Sequence, residues 1–243
     1  MAIPPKNKDG VARLLAIDID GIIRDLDSPY VCLTGDNTID TYDHPGWLSW
    51  FRSLNPTGMW DLMTNAPTLE SGIRMCNKLY ATSFFDVIFF LTAQRDSAIQ
   101  PTVHFMEEHF FGDHMSWLSA EEGALSKEIQ KLTNMPRIVK GCTNLVILSR
   151  SEDKPAFLEE LYRRYIPEEY GVTVDKVRLG LIDDRLNTHR NLPKEILSFF
   201  ATNRLRKDAE EAARLGIHDI SNTVFGEKQD CGIYQEIISK FKE

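Results

Sequence analysis

Three things are scarce in this chain of 243 residues. Cysteine occurs four times, at Cys32, Cys76, Cys142 and Cys231, with no C-x-x-C pair. Such scatter argues against a disulfide frame or a thiolate zinc site and fits free thiols in a reducing compartment. Long apolar runs are missing as well. The longest, Val87 to Leu91, has five residues, whereas a membrane-spanning helix needs ~20. The start, Met1 to Gly10, is polar with two prolines and leads into no apolar h-region, so no secretory signal is expected. Positive charge is in deficit: 28 Lys and Arg stand against 36 Asp and Glu, a formal net charge of −8. A broad grip on nucleic acid needs a basic face, so only a local basic pocket remains open. The expectation is a soluble, cytoplasmic protein with no membrane partner.

What is present is ordinary globular composition, 42% hydrophobic and 26% charged. That excludes a collagen-like, coiled-coil or disordered chain. A chain this long buries ~70–75% of its unfolded surface and folds without a metal or disulfide staple. There is no internal repeat and no low-complexity tract.

Short apolar runs alternate with helical spacing. Arg13 to Asp20 reads RLLAIDID, an apolar run ending in two carboxylates. Further buried strands are expected at Phe85 to Thr92, Leu145 to Leu148, Val177 to Ile182 and Ile196 to Ala201. Helices are expected over 69–80, 97–111, 121–132, 154–165, 208–215 and 233–241. The segment 24–70 differs. It is rich in Asp, Asn, Thr, Pro, Gly and Trp, with a short amphipathic piece near Trp47 to Leu54. We read it as a small, mainly helical cap inserted into a core made of 1–23 and 71–243. The fold class is α/β, a Rossmann-like parallel sheet with helices on both faces.

Polar clusters sit at the C-terminal ends of four expected strands, the edge where open parallel sheets bind ligands. Asp18 and Asp20 follow the first, with Gly21 free to turn the chain. Two carboxylates two residues apart disfavour joint ionisation unless a cation relieves them, and Mg²⁺ does so with oxygen ligands. The competing reading is a solvated acidic turn. A calcium loop fails on register, because its first ligand would be Ala16. Asp183 and Asp184, within D-D-x-x-N, could complete a metal shell or simply cap a helix. Thr92 to Arg95 offers a hydroxyl and backbone N–H groups, including that of Ala93, as a seat for phosphate oxygen; a plain Thr cap is the alternative. Lys154 supplies a cation at a helix start, where the dipole mildly disfavours one.

As a set, D-x-D-G, T-A-x-R, the lysine before a helix and D-D-x-x-N resemble the haloacid dehalogenase (HAD) superfamily of phosphohydrolases, over roughly residues 12–23 and 84–202. LTAQR with IDDRLN is similar to the phosphatase domains of polynucleotide kinase–phosphatases. FDVIFFLTA with HFMEEHF is similar to the 5′-deoxyribonucleotidase-type branch. The resemblance implies a Mg²⁺-dependent phosphomonoester hydrolase acting on a nucleotide, another phosphorylated small molecule or a nucleic-acid end. It implies Asp18 as nucleophile forming an aspartyl-phosphate, and Asp20 as general acid and then base. Thr92 and Lys154 would hold the transferring phosphoryl group. Mg²⁺ would lie on Asp18, the Asp20 backbone carbonyl and Asp183, with Asp184 nearby. A phosphotransferase on the same fold and a non-catalytic binding protein stay open as alternatives.

Rivals exist for two of these roles. Thr64 in LMTNAP competes with Thr92, but Trp60-Asp61 and Pro67 spoil that segment as a buried strand. Lys140 and Lys127 compete with Lys154. Arg95 has two uses open, contact with substrate phosphate or pairing with Asp96. His104 and His109 are five apart, ~140° around a helix, and so do not form a two-histidine metal pair. Trp47, Trp50, Phe51 and Trp60 suit the cap's own core better than base stacking. Arg204, Arg206 and Lys207 read as a solvated basic run.

Overall fold

The computed structural model describes residues 4–6, 8–36, 44–112, 115–119, 135–202, 207–226 and 232–243. Its framework is one sheet of seven strands, all parallel: β1 Ala12–Ile17, β2 Val87–Ala93, β3 Trp117–Ser119, β4 Leu145–Leu148, β5 Val177–Asp183, β6 Leu197–Phe200 and β7 His218–Asp219. The spatial order is β3-β4-β2-β1-β5-β6-β7. This is the Rossmann-like α/β arrangement that the alternating apolar runs predict.

β1 lies at the centre, with Leu14 registered against Val87 of β2 on one side and Leu179 of β5 on the other. Every residue of β1 is buried, as a strand covered on both faces requires. Leu15 and Ile17 join one apolar cluster with Phe90, Met75 and Phe241. Ala12, Leu14 and Ala16 join the other, with Phe89, Phe157 and Leu161. The chain builds β2, β3 and β4 on one side of β1 and then crosses to start β5 on the other. That crossing opens a crevice beside the C-terminal end of β1, where an open α/β sheet binds ligands.

The strands at the two edges, β3 and β7, were not expected. They have three and two residues, too short for an apolar run to announce them. The expected 154–165 helix also differs. It runs as Lys154–Glu160, widens to a π-type turn at Leu161–Tyr165 and resumes at Ile166–Tyr170. Pro167 has no N–H for the preceding turn, and the wider turn lies immediately before it. The helix expected over 121–132 falls outside the described residues, as do Lys127, Arg204 and Arg206.

Among the described residues, four helices lie between β1 and β2: α1 Asp27–Thr34, α2 Pro45–Ser53, α3 Pro56–Asn65 and α4 Glu70–Ala81. Pro45 and Pro56 each open a helix, where a missing N–H costs nothing. The Asn55 side chain caps α3 by accepting from the Gly58 N–H at 2.8 Å. Leu26, Tyr30, Trp47, Met59, Leu62 and Met63 form a hydrophobic cluster of their own, joined by Ala98 of α5 (Asp96–Met106). Segment 24–70 therefore carries its own small core beside the sheet. Its two connections run side by side: the Asp25 N–H donates to Pro67 O and the Leu69 N–H to Ile23 O, both at 2.8 Å. No described helix is long and apolar enough to cross a membrane.

Candidate active site

The strand ends gather one buried polar cluster. The Asp18 N–H donates to Ile182 O at 2.8 Å, which pins the end of β1 to the end of β5. Carboxylate oxygens of Asp18, Asp183 and Asp184 come within 4.8 Å of one another, and all three residues are buried. Lys154, at the first turn after β4, reaches between two of them: its Nζ lies 2.8 Å from Asp18 Oδ2 and 2.7 Å from Asp183 Oδ2. Four residues separated by up to 166 positions in sequence thus meet at one rim.

Three carboxylates against one ammonium leave a formal charge of −2 in a buried site. Burial, with the neighbouring Asp183 and Asp20 charges, outweighs the pull of Lys154 and leaves the Asp18 carboxyl raised to about 7. Burial acts on Asp183 in the same sense, but Lys154, His189 and the Arg185 N–H outweigh it and hold that carboxyl low. The opposite responses of two neighbours mark a site where like charges compete for one cation.

Geometry at Gly21 adds to this. Gly21 takes φ +77°, and a Cβ built there would fall 1.7 Å from Asp184 Oδ2. Only the bare Cα lets the turn after β1 close on that carboxylate. An all-oxygen donor set with this charge excess fits Mg²⁺, a hard cation that takes carboxylates and keeps waters.

The Asp20 carboxylate stands apart from the triad. Its Oδ1 accepts from Arg24 Nε at 2.7 Å and its Oδ2 from Gln94 Nε2 at 2.5 Å. With both oxygens engaged, the backbone carbonyl is the atom through which Asp20 could join a metal shell. Gln94 Nε2 also lies 3.2 Å from Thr92 Oγ1, so one amide ties Asp20 to the hydroxyl at the end of β2.

Some of these groups line a cavity of about 270 Å³. Asp18, Asp20, Thr92 and Lys154 form its floor, and Trp47, Phe51 and Arg95 are among its remaining walls. Ala93 lines it too. Arg95 turns away from Asp96 and toward the insert: its Nη2 donates to Leu54 O at 3.1 Å, and its guanidinium lies 5.2 Å from the Phe51 ring. Its Nε is buried and has no hydrogen-bond partner among the described residues.

The rivals lie elsewhere. Thr64 sits within α3 and donates to Trp60 O at 2.8 Å. Lys140 pairs with Glu169 at 3.0 Å and lines a separate cavity with Val87 and Ile88, at the far end of β2. His104 stacks on Trp60, and His109 packs at a tilt against Phe105, so the two rings have separate partners. Trp47 stacks on Phe51 with centroids 4.9 Å apart, inside the insert's core.

Sequence reading missed Arg24, Gln94 and His189. Gln94 stood inside the TAQR motif, but a glutamine carries no charge to draw attention. Arg24 lies four residues after Asp20, the one available hint. His189 is buried behind β5; its Nε2 meets Asp183 O at 2.9 Å and its Nδ1 meets Ser198 Oγ at 2.6 Å. A carbonyl only accepts, so Nε2 carries the proton and Nδ1 accepts from the serine. Burial depresses the basicity of this ring, consistent with a neutral imidazole that buttresses the strand end.

No family model, curated protein or solved structure matches this chain, so the geometry and the four motifs carry the functional reading.

Proposed function

We propose that this protein is a Mg²⁺-dependent phosphohydrolase of HAD type that cleaves phosphomonoesters through an aspartyl-phosphate. One observation carries the reading: Lys154 Nζ bridges Asp18 and Asp183 beside a third buried carboxylate, at the floor of a cavity that also presents Thr92. A scaffold gains nothing from packing repelling carboxylates together, whereas an anionic nucleophile approaching an anionic phosphate needs this mixture of charges.

Asp18, Asp183 and Asp184 would hold the metal, with the Asp20 backbone carbonyl. Bound there, Mg²⁺ neutralises phosphate charge and polarises a phosphoryl oxygen. In the first step an Asp18 oxygen bonds to phosphorus, the ester P–O bond breaks, and Asp20 delivers a proton to the leaving oxygen. In the second, Asp20 takes a proton from water as the water oxygen bonds to phosphorus. The aspartyl P–O bond then breaks and returns Asp18 as a carboxylate. Thr92 and Lys154 hold the transferring group throughout. Arg95, with its buried free Nε, is the donor for the substrate phosphate.

Segment 24–70 serves as the cap that walls the cavity and selects the substrate. Nucleotides and phosphorylated nucleic-acid ends are the substrate classes to test first. Among the described cysteines, Cys32, Cys76 and Cys142 are free thiols, which supports a cytoplasmic setting. The test is turnover of a panel of nucleotides, 3′- and 5′-phosphorylated oligonucleotides, sugar phosphates and p-nitrophenyl phosphate, with Mg²⁺ and with EDTA. Phosphate release that requires Mg²⁺ is expected. Silence across the panel would remove the enzymatic reading.

A further inference from the structure

Arg24 is the largest fully buried side chain in the described protein, and it is charged. A buried guanidinium is costly unless its donors are met. Here each nitrogen has its own acceptor from a different part of the fold. Nε donates to Asp20 Oδ1 at 2.7 Å, Nη1 to Met63 O of α3 at 3.2 Å, and Nη2 to Thr102 Oγ1 of α5 at 3.2 Å. The Phe105 ring lies against the guanidinium at 5.0 Å. A planar fork held at three points and backed by a ring has no rotational freedom left.

The backbone at Arg24 is equally tied. Its N–H donates to Ile19 O, and its carbonyl accepts from the Gly21 N–H at 2.9 Å. Arg24 also forms an isolated bridge with Thr68. The chain leaves the sheet for the helical insert at Arg24 and returns at Thr68, so this residue sits where both connections cross.

We propose that Arg24 is a positioning residue: it sets the direction of the Asp20 carboxylate, is held in place from the core side by Thr102 of α5, and couples that direction to the seating of the helical insert through Met63 of α3. This rests on the phosphohydrolase reading above, in which Asp20 passes its proton to the leaving oxygen as the P–O bond breaks. Gln94 holds the second Asp20 oxygen and aims it alongside Thr92. Arg24 holds the first and transmits the position of α3. A shift of α3 against the sheet therefore turns Asp20, and a well-seated insert aligns it.

Leaving-group dependence separates this role from a structural one. An aryl oxide departs with little help, whereas an alkyl oxide needs its proton. The experiment compares kcat/KM for p-nitrophenyl phosphate and glycerol 2-phosphate in the wild type, Arg24→Lys and Thr102→Val, with Mg²⁺ present. Lysine keeps the charge but cannot meet three separated acceptors at once. For Arg24→Lys we expect a loss of ~10²-fold on the alkyl ester, the scale of a misplaced general acid, and less than ~10-fold on the aryl ester. Thr102→Val leaves the Arg24–Asp20 pair in place and should show the same asymmetry, about 3- to 10-fold on the alkyl ester alone, since only one of three supports is lost. It also answers the question if Arg24→Lys does not fold. Equal losses on both esters, or no loss in a folded variant, would overturn the positioning role while leaving the phosphatase reading intact. A wild type inactive on both esters and across the substrate panel would overturn the reading on which it rests.

Discussion

The Cα of Gly21 faces the carboxylate of Asp184 with no room for a side chain between them. A methyl at Gly21 would sit 1.7 Å from Asp184 Oδ2, and the residue already holds φ +77°. Gly21→Ala should therefore strain the backbone by roughly 1–2 kcal/mol and push Asp184 out of the triad. We expect a folded protein with a lower thermal midpoint and little response to Mg²⁺. A variant whose midpoint still rises with Mg²⁺ as in the wild type would show that Asp184 has no part in the metal site.

Mg²⁺ alone should stabilise the wild type, because the folded site gathers charges that the unfolded chain disperses. At a hundredfold excess over Kd, linkage supplies about 2.7 kcal/mol, or ~5–10 °C in midpoint for a chain of this size. Asp184→Asn should raise the metal-free midpoint by relieving repulsion and flatten the Mg²⁺ response. Differential scanning fluorimetry with Mg²⁺ and EDTA reads both effects. An unchanged wild-type midpoint at 10–20 mM Mg²⁺ would count against the site.

Lys154→Met removes the cation between Asp18 and Asp183. Two buried carboxylates are left facing each other, at a cost of about 3–5 kcal/mol. The variant should lose turnover and depend on Mg²⁺ for a measurable folded population, as chemical denaturation followed by circular dichroism would report. Full metal-free stability would mean that the lysine contributes nothing to holding the carboxylates.

Asp18→Asn should abolish turnover and leave the fold intact, since the amide keeps the shape and the Ile19 N–H bond, 2.8 Å in the native protein. Mass spectrometry after acid quench with substrate should find a phosphorylated wild type and an unmodified variant. An active variant would move the nucleophile elsewhere.

The alkaline limit follows from Tyr170 and Cys76, both raised by burial above their ordinary values of 10.0 and 9.0. A group raised in the folded state contributes stability that is complete below its unfolded pKa and is lost as pH climbs beyond it. The midpoint should be insensitive to these groups below pH ~8.5 and fall from pH ~9 upward. Tyr170→Phe forfeits the bond to Val139 O, about 1 kcal/mol at neutral pH, but should fall less steeply above pH ~10 than the wild type. Parallel slopes would show that Tyr170 ionises freely in the folded protein.

Much of the candidate site, as a set of residues that come together, was legible because its signals are local. Asp18 and Asp183 each close an apolar run, and a carboxylate at the end of a buried strand has few purposes. Lys154 was identified by its place between a strand and a helix. Thr92 was preferred over Thr64 on Pro67 and Trp60-Asp61, and the structure puts Thr64 inside α3. The edge strands β3 and β7 left no trace in the sequence, because two or three residues are too few to display a period. The partner of Arg95 was equally hidden: local spacing pointed to Asp96, and the acceptor is Leu54 O, forty-one residues away.

The sequence by itself determined the layering, since a run of apolar residues must be covered wherever it lies, and it determined which strand ends carry charge. Tertiary structure alone decided how those ends combine. That Asp18 meets Asp183 and Lys154 follows from β1 lying between β2 and β5, a strand order that no local pattern encodes. The clamp of Arg24 and Gln94 on Asp20 belongs to the same class. Burial makes each of those hydrogen bonds obligatory, and burial is a property of the assembled layers rather than of any stretch of chain.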